Sequence, residues 1–146
     1  MDTATPLAAD AWDAYQRMRL RLSARIAREL SAASGLSEAD YEILSALMHE
    51  DRPVRPVALG QCLGWEKSRL SHQLRRMGER GLISRDSCIE DGRGQEVSIT
   101  DAGREAYATA RGAYDEAVCR YVTNALSTEQ LAQLRVIAET VLPHLD

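Results

Sequence analysis

The segment EKSRLSHQLRRMGERGLISRDSCIEDGRGQEVSIT, residues 66–100, changes its periodicity once along its length. Over residues 66–80 the apolar positions are Leu70, Leu74 and Met77, which share one face of a helix, and Gly81 stops the pattern. From Leu82 the period falls to two. LISRDSCI and QEVSIT alternate apolar and polar residues on either side of EDGRG, a run rich in turn formers. The spacing predicts a helix followed directly by a β-hairpin, with Arg93 between two glycines at its tip.

Upstream, DRPVRP (51–56) reads as a loop with two prolines and a very short strand at Val54. VALGQCLG follows, with Leu59 and Leu63 one helical turn apart and Gly64 as the stop. Two short helices joined by a glycine-containing turn read as helix-turn-helix. Before them, Ser37 is an N-cap with acidic residues in the first turn, and Tyr41, Leu44, Leu47 and Met48 form the next apolar stripe. The first long helix runs from about Asp10 to Ala33, with Trp12, Tyr15, Leu22, Ile26 and Leu30 at helical spacing and arginines between them. Downstream, Thr100 caps a helix expected from about Asp101 to Leu126, on which Tyr107, Tyr114 and Tyr121 lie in heptad-like register. STEQ (127–130) is a capping box opening a last helix, whose seam is Leu131, Leu134, Ala138, Val141, Leu142 and Leu145. The expected fold is mainly α with a small β-hairpin wing: a winged helix-turn-helix over 37–100, flanked by helical dimerisation segments at 1–36 and 101–146.

The length of 146 residues fits one ordinary domain. Only 5% of residues are aromatic and Phe is absent, which favours a helical chain over an all-β one. A net charge of −4 excludes a uniformly basic coat but not a local basic surface. Cys62, Cys88 and Cys119 are far apart, which suits reduced thiols rather than a disulfide framework. The sequence has no glycine-rich phosphate loop, no nucleophile motif and no His/Cys cluster at metal-ligand spacing, so neither an enzyme, a metal nor a cofactor is expected. Charges run through the first thirty residues, unlike a signal peptide, and no apolar run approaches the roughly 20 residues of a membrane span. The expectation is a cytoplasmic protein with no membrane partner.

On the 66–80 helix, Ser68, His72, Arg75 and Glu79 fall opposite the apolar face, with Arg69 and Arg76 on one flank and Ser71 on the other. Five basic side chains stand against two acidic ones there, whereas residues 105–146 carry three basic and six acidic. The basic surplus sits on the second helix of the helix-turn-helix. Arginine can grip a guanine edge in a fork, serine and histidine can donate to bases or phosphates, and further cations set register on the backbone. A single arginine on a hairpin tip can enter a narrow minor groove, and Asp91 is placed to orient it. Taken singly, each of these residues also fits a solvated helix face or an ordinary hairpin tip. Their order along the chain points to double-stranded DNA.

LGWEKSRLSHQLRRMGERGLISR (63–85) and DGRGQEVSIT followed by DAG (91–103) resemble the MarR (multiple antibiotic resistance regulator) family of bacterial winged-helix transcription factors. The second stretch matches a D-x-R wing followed by V-x-[LI]-T-x-x-G. The resemblance implies a homodimer whose body is built from the first and last two helices, each winged domain reading one half-site of a palindromic operator. It implies groove contacts from Ser68, Arg69, Ser71, His72 and Arg75, phosphate contacts from Lys67 and Arg76, and Arg93 as the wing finger. Arg85 is expected either to pair with an acidic residue at the hairpin base or to touch phosphate. Glu66 departs from the family, which often has Ser or Thr at that cap. Trp65 beside it reads as a core plug or as part of a ligand cleft. Relatives release DNA when a small aromatic ligand enters such a cleft, for which Trp12, Tyr15, Met48, His49 and Trp65 are the candidates here, with simple phenolates expected to bind weakly or not at all. The family's hydroperoxide sensors use a cysteine in the first helix, which this chain lacks; Cys62 and Cys88 are the candidate redox thiols. The implied function is a ligand-responsive repressor. The alternatives are a redox-responsive regulator and a winged protein-interaction module that does not bind DNA.

Overall fold

The computed structural model describes residues 5–87 and 94–145. The elements in chain order are α1 (Pro6–Ser34), α2 (Glu38–Met48), α3 (Pro56–Leu63), α4 (Lys67–Glu79), β1 (Ile83–Ser87), β2 (Gln95–Ile99), α5 (Asp101–Val118) and α6 (Thr128–Val141). A π-helical turn, Cys119–Thr123, follows α5, and a 3-10 turn, Leu142–His144, follows α6. The mainly α fold with one β-hairpin is as expected. Cys88, Asp91 and Arg93 lie outside the described residues. The chain forms two compact units, Ala27–Ala113 and Met1–Ile26 with Tyr114–Asp146, so the division falls inside α1 and α5.

In Ala27–Ala113 the helix ends follow their local chemistry. The Ser37 hydroxyl accepts from Asp40 N–H at 3.1 Å while the Asp40 carboxylate accepts from Ser37 N–H at 2.9 Å, a reciprocal capping box that opens α2. Gly64 ends α3 at φ +67°, a left-handed conformation that suits glycine. Leu30, Leu44, Leu47, Leu59, Leu70, Leu74 and Met77 of the predicted stripes meet in one core with Leu36, Ile43, Leu82, Ile83 and Val97, all of them buried. The Tyr107 ring stacks on Tyr41 with centroids 5.4 Å apart. Burial pushes the Tyr107 phenol up, but hydrogen bonds with Ser45, Arg111 and Tyr41, together with the Arg111 charge, hold it below the ordinary tyrosine value.

β1 and β2 pair antiparallel from Ile83 opposite Ile99 to Ser87 opposite Gln95. The short strand expected at Val54 is present as a bridge to Val97, with N–H to carbonyl bonds of 2.9 and 2.8 Å in the two directions. Val97 is thus gripped on both sides. Thr100 ties the hairpin root to α4 and α5: its hydroxyl donates to Gly81 C=O at 2.6 Å and accepts from Gly103 N–H at 3.0 Å. Gly103 packs so closely that a Cβ there would collide with the Leu82 carbonyl and stand 2.9 Å from Ile99 Cγ1. Val97, Ile99, Thr100 and Gly103 are the fixed positions of the V-x-[LI]-T-x-x-G pattern, and each has a mechanical part in this junction.

The second unit holds the first part of α1, the end of α5 and α6. The Ser127–Gln130 capping box opens α6 as expected, with bonds of 3.0 and 3.1 Å. The helix expected to run to Leu126 instead leaves α geometry after Val118. Asn124 N–H reaches back five residues to Cys119 C=O at 2.9 Å, so the turn holds one extra residue. A seven-residue stripe cannot keep its face through such a turn, and Tyr121 is instead met by Arg25, whose Nε donates to the phenol oxygen at 3.1 Å. Arg25 and Arg120 both stand over the Tyr121 ring, 5.4 and 5.8 Å from its centroid. Ile26 and Ala117 are buried, whereas Leu134, Val141, Leu142 and Leu145 of the predicted seam are exposed.

Candidate nucleic-acid interface

The sequence of α4 sorts cleanly by face. Leu70, Leu74 and Met77 are buried, and Lys67, Ser68, Arg69, Ser71, His72, Arg75 and Arg76 are all exposed. The helix starts at Glu66, an N-cap whose side chain makes no capping bond. The exposed row offers forked, single-point and hydroxyl donors along about three turns, a donor set suited to base edges and phosphates.

Two arginines of that row are held. The Arg69 guanidinium lies over the Trp65 indole, 3.8 Å from the ring centroid, so the half-buried tryptophan serves as a platform for it. The Arg76 Nη2 donates to Gln73 Oε1 at 2.7 Å. Gln73, 6% exposed, sits within the apolar stripe and passes its own amide N–H to Asp40 Oδ1 at 2.5 Å. Asp40, 2% exposed, also takes Arg80 Nη1 at 2.7 Å, and Arg80 Nη2 donates to Gly35 C=O at 3.1 Å. Arg80 is therefore occupied inside the unit, and the basic surplus of the helix falls from three to two.

Sequence reasoning missed Asp40, Gln73 and Arg55. A signal existed for the first two: Ser37-x-x-Asp40 is a capping-box spacing, and Gln73 is a polar residue flanked by the apolar positions Leu70, Leu74 and Met77. Arg55 had no such signal. Its guanidinium carbon would stand 3.8 Å from a Cβ on Gly94, at the start of the second wing strand. Arg85 is exposed on β1 and passes over Gly78 of α4, where a Cβ would lie 3.6 Å from its Nε.

The residues singled out for a ligand cleft are placed as follows. Trp12 and Tyr15 are exposed on α1 with their rings 5.4 Å apart. Met48 is half-buried near the end of α2 and its sulfur accepts from Arg104 at 3.6 Å, while the adjacent His49 is exposed. A cleft of about 130 Å³ is lined by Leu47, Arg52, Pro53, Val97, Ile99 and Arg104 among others, and by none of those five residues. Cys62 is exposed on α3, as is Cys119 at the π-helical turn. Among the described residues no group of three or more His, Cys, Asp or Glu is arranged to hold a metal ion. Nor, among the described residues, is any helix long and apolar enough to cross a membrane.

Residues 36–103 match the family model of a winged helix DNA-binding domain. Across the whole chain the fold is that of AbsC, a MarR family transcriptional regulator from Streptomyces coelicolor, at 28% identity and a TM-score of 0.89, with 99% of this chain and 98% of that one covered. Sco3205, a second MarR family regulator from Streptomyces coelicolor, solved in complex with DNA, is also 28% identical, with a TM-score of 0.89 and 97% and 93% of the two chains covered. Over nearly its whole length the chain is thus similar to MarR family regulators. A mutant MarR from E. coli shares the fold at 20% identity and a TM-score of 0.75, over 97% of this chain and all of that one. No curated protein sequence matches the chain. Within the matched residues 36–103, the α3–α4 pair with the following hairpin is the winged helix-turn-helix that the sequence pattern indicated.

Proposed function

We propose that this chain is a MarR-family transcriptional regulator, a homodimeric, ligand-responsive repressor that reads a palindromic operator in double-stranded DNA, one winged domain per half-site. The observation that carries the reading is α4, with seven polar or basic side chains exposed over a fully packed apolar face. Ser68, Arg69, Ser71, His72 and Arg75 are assigned to base edges. Lys67 and Arg76 are assigned to phosphates, Arg85 to phosphate beside the wing, and Arg93, oriented by Asp91, to the minor groove. Residues 37–100 carry the DNA contacts, and 1–36 with 101–146 carry dimerisation. The exposed seam of Leu134 and Val141 on α6 and of Leu142 and Leu145 just after it supports the dimer, because apolar stripes of this kind are usually covered. A small aromatic molecule is the proposed effector.

The test is selection from a randomised duplex pool, followed by fluorescence anisotropy of the selected duplex with wild type and Arg93→Ala at two salt concentrations. Enrichment of a palindrome bound by two chains is expected, with Arg93→Ala weakening it and flattening the salt dependence. Enrichment of an asymmetric site bound by one chain would overturn the dimeric reading. Absence of any salt-dependent binding would favour a protein-interaction module instead.

A further inference from the structure

Resting on the reading of α4 as the DNA-facing helix, we propose that Gln73 is a positioning residue for DNA binding, orienting Arg76 towards phosphate from a fixed buried anchor, Asp40. The chemistry of the three side chains admits one arrangement. A carboxylate only accepts hydrogen bonds and a guanidinium only donates them. Between them stands a neutral group that does both: Gln73 Nε2 donates to Asp40 Oδ1 and Gln73 Oε1 accepts from Arg76 Nη2. An apolar residue would do neither, a glutamate could not donate to Asp40, and a lysine could not accept from Arg76.

The anchor is immobile because Asp40 is itself over-determined. Its carboxylate receives the backbone N–H of Ser37, the Arg80 guanidinium and the Gln73 amide, at a site 2% exposed. Arg76, by contrast, is exposed and long. Left free, it would lose rotamer entropy on gripping a phosphate, a cost of about three- to tenfold in affinity for one long side chain. The relay removes much of that cost before DNA arrives. It also explains why a polar residue interrupts the apolar stripe of α4, where a leucine or methionine would pack as well.

The experiment uses the full-length chain and a fixed duplex of arbitrary sequence at low salt, so that phosphate contacts dominate and no operator is needed. Affinity and its salt slope are measured for wild type, Gln73→Met, Arg76→Ala and the double variant, with thermal melts of each. Gln73→Met is expected to weaken binding about three- to tenfold and to reduce the salt slope by up to one, and to have no further effect in the Arg76→Ala background. Gln73→Lys serves as a second variant, since it keeps a donor to Asp40 while removing the acceptor. It is expected to weaken binding although it adds a positive charge, the reverse of what charge alone would do. Equal losses in both Arg76 backgrounds, or tighter binding by Gln73→Lys, would overturn the proposal and leave Gln73 a packing residue. A wild type that binds no duplex at all would instead overturn the DNA reading on which the proposal stands.

Discussion

The two compact units of this chain use the same residue types to opposite ends. Ala27–Ala113 buries most of its described leucines and isoleucines, with Met77, against one another and closes its polar ends with the Ser37 and Thr100 junctions. The unit of Met1–Ile26 with Tyr114–Asp146 buries Ile26 and Ala117, yet exposes Leu134, Val141, Leu142 and Leu145. One unit is internally satisfied. The other has an apolar surface that asks for a cover, and a second copy of the chain is the cover proposed above. Apolar periodicity in a sequence therefore says that a face will be buried, but not by what.

Substitutions in the two units should separate accordingly. The largest effect is expected from Gly103→Ala, where the new methyl group meets the Leu82 carbonyl and neither backbone can yield cheaply. A loss of about 3 kcal/mol or more is expected in urea denaturation. Asp40→Ala comes next, at about 2–3 kcal/mol. It removes one half of the capping box and strands the buried Gln73 amide. Arg80, 44% exposed, adds little to that figure because water screens it. In the other unit, Leu134→Ala with Leu142→Ala should change the stability of the isolated chain by under about 0.5 kcal/mol. Its effect should appear in sedimentation, as a shift of about tenfold or more towards monomer. A large loss of monomer stability with no change in association would abolish the contrast between the units.

The smallest effect is at Tyr107. Its phenol is held below the ordinary tyrosine value of about 10, so the native state favours the ionised form. That contribution is full above the unfolded value and disappears as pH falls through the lowered one. Near neutrality Tyr107→Phe should therefore cost about 1 kcal/mol or less, from the lost hydrogen bonds alone. The gap between wild type and variant should widen in alkaline solution. Urea midpoints of both proteins across that range would show it, and a gap that narrows with rising pH would contradict the assignment.

Most of the fold was legible because its signals are local. Glycines at 64 and 81, prolines at 53 and 56, the Ser127 box and the change of period after Gly81 each act within a few residues. The π-helical turn at Cys119–Thr123 was not legible, since α and π geometry differ by one hydrogen-bond register that no residue in CRYVT dictates. The candidate interface was legible as a set of residue types on α4. Which arginines stand ready was not. Arg80 is drawn inward by Asp40, forty positions away in sequence, and Arg69 is held over the Trp65 ring, facts that depend on tertiary packing.

The bridge between Val54 and Val97 has a consequence for the DNA itself. It fastens the root of the wing to the loop that leads into α3, and Thr100 fastens the same root to the end of α4. Under the proposed reading, helix and wing then measure a half-site as a rigid caliper rather than as two independent fingers. An operator with one base pair inserted between the major-groove and minor-groove contacts could not be followed by swinging the wing. One set of contacts would be forfeited whole, so tolerance to spacing should be far narrower than tolerance to a base change.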